Sequence, residues 1–184
     1  MGSRLQVKRY AALMRAVNVG GKGSLPMAEV RDMLAKAGFD DPQTLLASGN
    51  AVLGSKLAPA EIEKRFEAGI EARFGFKTDV LVRDVDQLKT VMAENPFPDF
   101  AKERPSTFIA YFLRGEVDGD LADLQPFCVF GEEIAVGPGC LYLCYPEGSG
   151  TSKLSGATIE RKLKVRGTGR NWNTVGKLVA KLSG

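Results

Sequence analysis

The apolar residues between positions 9 and 82 switch between short continuous runs and four-residue stripes. The order of those switches leaves few folds open. Arg9–Arg15 carries Tyr10-Ala11-Ala12-Leu13-Met14 and reads as a strand. A Gly-rich loop follows, Asn18-Val19-Gly20-Gly21-Lys22-Gly23-Ser24. Met27, Val30, Met33, Leu34 and Ala37 then recur at helical spacing, and Gly38 marks a stop. Thr44–Ala47 and Ala51–Leu53 are strand-like runs around Ser48-Gly49-Asn50, a tight-turn signal, so they predict a hairpin. Pro59 opens a second helix whose Ile62, Phe66, Ile70 and Phe74 form one stripe. Thr78–Val82 is a further β run. The order β-α-β-β-α-β is the ferredoxin-like plan, two helices on one antiparallel sheet.

The rest of the chain predicts an incomplete echo of that order. A helix over about Asp86–Ala93 precedes a proline-studded loop, Asn95–Pro105. Ser106–Leu113 is a strong strand, and Asp120–Phe127 a short helical stretch. Glu133–Val136 and Leu141–Tyr145 flank Gly137-Pro138-Gly139 as a second hairpin. A helix follows around Ser152–Leu163, then a break at Arg166-Gly167-Thr168-Gly169, then a last helix over about Arg170–Leu182. The expected class is therefore α+β, with two packed subdomains. The first, residues 1–84, is ferredoxin-like; the second, residues 85–184, is a ferredoxin-like variant ending in two helices. Each alone is near the size where burial becomes marginal, so the halves are expected to pack together.

The chain contains no histidine. That excludes Ser-His-Asp and Cys-His catalysis, histidine-ligated zinc and a histidine pH switch. Three cysteines, Cys128, Cys140 and Cys144, make neither a disulfide framework nor a zinc set, and point to a reducing, cytoplasmic setting. On a strand Cys140, Tyr142 and Cys144 face one side as small buried groups. No apolar run approaches the roughly 20 residues of a membrane span. The basic start lacks the apolar core of a signal peptide. No motif calls for a metal or an organic cofactor.

Charge is uneven. Residues 1–60 hold 8 Lys/Arg and 4 Asp/Glu, net +4; residues 61–150 hold 9 and 17, net −8; residues 151–184 hold 8 and 1, net +7. If the basic ends meet, they form a face suited to anions; the bland alternative is a mixed solvated surface.

Three segments concentrate Gly, Asn and basic residues outside the core pattern. In the first, Arg15, Asn18, Gly20, Gly21 and Lys22 stand between strand and helix. Its glycines let backbone amides approach a ligand, and the following helix start favours an anion. The same residues also make a generic turn. It is neither a Walker A loop nor a dinucleotide fingerprint. The second is Ser48-Gly49-Asn50, a hairpin turn that serves a ligand only if Asn50 faces the first loop. The third runs from Lys153 to Thr174. Thr168 reads as the N-cap of the last helix, which puts Arg170 in its first turn, against the helix dipole. A bound anion would explain a cation there. Asn171 and Asn173 flank Trp172, which is either a core anchor or a base-stacking ring.

Together these segments are similar to a known family. Leu13-Met14-Arg15-Ala16-Val17-Asn18-Val19-Gly20-Gly21, Ser48-Gly49-Asn50 and Arg170-Asn171-Trp172-Asn173-Thr174-Val175 resemble the motifs of the bacterial family called domain of unknown function 1697. Lys153-Leu154-Ser155 with Ile159-Glu160-Arg161-Lys162-Leu163 also fits. The resemblance covers nearly the whole chain and departs at Ala16, where glycine is usual, and Gly169, where threonine is common. It implies a two-subdomain α+β fold and supplies no activity.

Three functions fit these residues. One is binding of a small phosphorylated or nucleotide-like anion between the halves. Arg15, Lys22, Lys153 and Arg170 would give charge, and Asn18, Asn50, Asn171 and Asn173 directional hydrogen bonds. Gly20, Gly21, Ser48 and Thr168 complete that set. Another is an acylphosphatase-like hydrolase, with Arg15 or Lys22 on the phosphoryl group and Asn50 orienting water. The third is RNA or single-stranded DNA binding through the basic C-terminal helices, although the RNP1 aromatic signature is absent. Phe108, Tyr111 and Phe112 are better explained as sheet packing.

Overall fold

Strand β1, Lys8–Met14, is followed by α1, Met27–Lys36, and the hairpin β2, Asp40–Leu45, and β3, Asn50–Ser55. Helix α2, Pro59–Phe74, and β4, Val80–Asp84, complete the first β-α-β-β-α-β set. The computed structural model describes residues 6–15, 25–45 and 49–184. Its first sheet has the order β2-β3-β1-β4, every pair antiparallel. Pro59 occupies the start of α2, where its missing N–H has no helical partner to lose, and Gly75 ends the helix at φ 77°. Ile62, Phe66 and Ile70 of α2 and Val30 and Leu34 of α1 pack with Tyr10, Ala12, Met14, Leu53 and Val82 in one core. Ala11, Leu13, Val52 and Leu81, on the other face of the sheet by strand alternation, are buried as well.

Beyond Asp84 come α3, Val85–Ala93, and α4, Pro98–Glu103. Helix α4 lies in the stretch expected to be loop, and begins at Pro98, where proline is tolerated. The second sheet has the order β6-β7-β5-β8, also antiparallel throughout. Its strands are β5, Phe108–Arg114; β6, Glu133–Gly137; β7, Cys140–Cys144; and β8, Arg166–Asn171. A 3-10 helix, Leu121–Phe127, is capped by the Asp120 side chain and follows β5. Helix α5, Gly156–Leu163, is capped by Ser155, and α6, Trp172–Ser183, follows β8. The fold is mixed α+β, two four-stranded antiparallel sheets each packed with helices. Two compact units divide at Asp86 and Gln87, and Leu178–Gly184 group with the first.

Both expected closing helices are present as α5 and α6, and β8 runs between them where a break was expected, so the second unit completes its own β-α-β-β-α-β order. Arg-Gly-Thr-Gly-Arg-Asn has no apolar alternation, yet it pairs with β5 from Ile109–Asn171 to Arg114–Arg166. The reason lies on β5. The Tyr111 ring lies across the Gly167 and Gly169 backbones; a side chain at 167 would collide with the ring, and one at 169 would press on Ile109. An aromatic ring thus supplies the packing surface that the glycines lack. Tyr111 donates from its hydroxyl to Glu160 Oε1 at 3.2 Å, and the Gly167 N–H donates to the same oxygen at 3.2 Å. Leu141, Leu143, Leu154, Ile159 and Leu163 fill the core on this face. On the other face Phe108 stacks on Tyr142 at 6.1 Å, with Phe97 and Phe100 edge-on and Trp172 tilted at 4.9 Å.

Candidate functional site

Because β1 is antiparallel to both neighbours, its last residues lie beside the first residues of β3 and β4. Leu13 pairs with Asn50 and Leu81, and Met14 with Val80. The Met14 N–H donates to the Gly49 carbonyl at 2.8 Å, and the Arg15 N–H donates to the Asp79 carbonyl at 2.9 Å. The Thr78 hydroxyl donates to the Arg15 carbonyl. The Arg15 backbone is thus held on both sides. Its guanidinium, a third exposed, stands 3.8 Å from the Asp79 carboxylate. That distance makes a loose pair of the kind worth at most ~1 kcal/mol. Asn50 is fully buried, and its amide donates to the Leu45 carbonyl at 3.0 Å, closing the hairpin from inside. Asn18, Gly20, Gly21, Lys22 and Ser48 lie outside the described residues.

The third predicted segment belongs to the second unit and is built differently from the expectation. Thr168 is not a helix cap, and Arg170 is not in a helical first turn; both lie in β8 on the face opposite Tyr111. The cap of α6 is Asn171, whose Oδ1 accepts from the Thr174 N–H at 3.0 Å. The conflict between Arg170 and a helix dipole therefore does not arise. Arg170 is 6% exposed and donates to Thr168 Oγ1 at 2.7 Å and to the Gly169 carbonyl at 2.8 Å. Burial pushes its pKa down to about 10, which still leaves a cation at neutral pH. Trp172 sits in the aromatic cluster and acts as an anchor. Lys153 and Asn173 are exposed.

Other polar clusters were not singled out by sequence. Thr78 and Asp79 had a usable signal: in a β-α-β-β-α-β sheet the residues before β4 face the end of β1. Glu132 had none. It is buried, accepting from the Ser152 hydroxyl and, at 2.8 Å, from the Phe130 N–H. Burial raises the Glu132 pKa, but these donors outweigh it and hold the carboxyl below the usual glutamate range. The cysteines are free thiols. Burial pushes Cys144 up to about 12 and raises Cys128, so neither is a ready nucleophile. Among the described residues, no group of three or more acidic or thiol side chains could hold a metal ion. None of their helices is long and apolar enough to cross a membrane. A cleft of about 500 Å³ in the first unit is lined by Arg9, Asp41, Gln43 and Lys181 with the end of α6. There Arg9 donates to the Asp41 carbonyl at 3.2 Å, and the Gln43 amide donates to the Asp41 carboxylate at 2.8 Å.

These observations define a protein of two ferredoxin-like α+β units. Polar side chains gather at one end of the first sheet, and a buried arginine lies in the second. The chain belongs to the family described as protein of unknown function, DUF1697, whose model matches residues 7–142. The Arg170–Val175 motif lies beyond that match. Among solved structures, the conserved bacterial protein SP0830 from Streptococcus pneumoniae is similar, with a TM-score of 0.71 and 22% identity. The alignment covers 96% of this chain and 99% of that one, and at this identity it speaks for the fold alone. No curated protein matches the chain.

Proposed function

We propose that this chain binds a small phosphorylated or nucleotide-like anion at the end of the first sheet where Arg15 leaves β1. The observation that carries this reading is the fixed backbone of Arg15, gripped by Asp79 and Thr78, which sets a guanidinium that is one third exposed at the end of the sheet. A phosphate offers that planar fork a bidentate, charge-assisted contact. The segment Asn18–Lys22 continues from this end of the chain path, and its glycines and lysine suit the same ligand by composition. Charge-assisted contacts of this kind are worth roughly 1.5–3 kcal/mol. Arg15→Ala is therefore expected to weaken binding about ten- to hundredfold. The measurement is calorimetric titration with inorganic phosphate, nucleotides and sugar phosphates, after a thermal-shift screen to choose among them. Unchanged affinity in Arg15→Ala overturns the reading.

The cleft at the opposite end of β1 favours a second location for the same ligand class, because Arg9 and Lys181 both line it. Loss of binding in Lys181→Ala with Arg15→Ala unaffected would assign the anion there. Phosphoryl hydrolysis gains no support from Asn50, whose buried amide already donates to the Leu45 carbonyl. Base stacking gains none from Phe108, Phe112 and Tyr142, which are buried.

A further inference from the structure

We propose that the β6 edge of the second unit is a docking strand for an extended basic segment of a partner protein. Strand β6 ends the sheet order β6-β7-β5-β8 and, among the described residues, pairs with β7 alone. Alternate N–H and C=O groups of such a strand point away from its neighbour and can take another strand. Strand β2, the corresponding end of the first sheet, is blunted. It contains Pro42, its register shifts between Asp40 and Gln43, and Asp41 sits at φ 38°. Strand β6 has an unbroken register from Glu133 to Gly137 and carries neither proline nor lysine.

The exposed apolar side chains gather at this edge. Among the described residues the exposed large hydrophobics are Val129, Phe130, Val136 and, elsewhere, Val7. Val136 lies on β6 and is 60% exposed; Val129 and Phe130 precede the strand. An added strand would cover Val136 with its alternate side chains, the mode in which backbone hydrogen bonds give affinity and side-chain pockets give specificity.

Charge decides what kind of segment fits. Residues 115–152 contain no Lys or Arg and seven acids: Glu116, Asp118, Asp120, Asp123, Glu132, Glu133 and Glu147. Glu133 is on the strand and exposed, and pairs with Cys144 at the end of β7, shortly before the exposed Glu147. The cations Arg161 and Lys162 of α5 lie over Phe127 of the 3-10 helix, and Lys153 is exposed beyond the Glu132–Ser152 contact. The β6 edge of a second copy carries no Lys or Arg to answer Glu133 and Glu147. A segment alternating apolar residues with Lys or Arg answers both features of the edge.

The test uses the isotope-labelled full chain and two blocked peptides, one alternating lysine with valine and one alternating glutamate with valine. The lysine peptide is expected to move the amide signals of β6 in a salt-sensitive manner, and the glutamate peptide is not. Val136→Asp, at an exposed position, is expected to weaken the lysine peptide at least tenfold. Glu133→Lys is expected to turn the preference toward the glutamate peptide. The proposal is overturned by β6 signals that stay fixed at millimolar peptide, or by equal response to both peptides. It is also overturned by concentration-dependent dimerisation through β6, which would give the edge to a second copy.

Discussion

Gly167 has no room for a methyl group. A Cβ there would stand 2.5 Å from the Phe112 carbonyl oxygen and 2.5 Å from Tyr111 Cε1, and one of these is backbone that cannot rotate aside. Gly167→Ala is expected to destabilise the protein by about 1–3 kcal/mol, the usual range for overpacking. Gly176, in the interior of α6, has open space around its Cβ position. Gly176→Ala is expected to raise stability by roughly 0.5–1 kcal/mol through helix propensity. Urea denaturation of the two variants measures both. Glu132 gives a prediction with a pH sign. Its pKa is depressed in the folded protein, so its contribution is present above the unfolded value and is lost as pH falls through the folded one. Ser152→Ala is expected to cost about 1–3 kcal/mol near neutral pH, because a buried carboxylate oxygen loses its donor. That difference from the parent chain is expected to narrow on acidification below the usual glutamate range, as followed by denaturant midpoints at stepped pH.

Helix α6 is capped by Asn171, the last residue of β8. Asn171→Ala is expected to cost about 1 kcal/mol, while Asn171→Asp, which keeps an acceptor oxygen, retains most of the stability. Thermal melts followed by circular dichroism distinguish them. If Thr168 were the cap, the ranking would fall on that residue instead. The elements with periodic apolar residues were legible in the sequence. The Ile62, Phe66 and Ile70 stripe becomes α2, and Pro59 and Gly75 bound it. The runs around Leu13, Val52 and Ile109 become β1, β3 and β5. Strand β8 was not legible, because its packing partner is a ring on another strand. Local propensity sees two glycines and two arginines there, whereas the register with β5 sees Tyr111 across from them. The same blindness affected the candidate site. The motif residues could be picked out, but that Arg170 meets Thr168 two residues back on one strand face follows only once β8 exists.

At the scale of the whole molecule, each sheet has one interior strand buried along its full length and an end strand that is not. Every residue of β3 and of β7 is buried, whereas β2 and β6 are mostly half-buried or exposed. Native-state amide exchange is expected to be slowest in β3 and β7 and faster by orders of magnitude in β2 and β6. Equal protection across a sheet would contradict that ordering. The contact between Tyr111 and its two glycines also bears on descent. A lineage that replaced Tyr111 with a small residue would open a groove along β8, and one that replaced Gly167 would expel the ring. Positions 111 and 167 are therefore expected to be inherited as a pair, a change at one calling for a compensating change at the other.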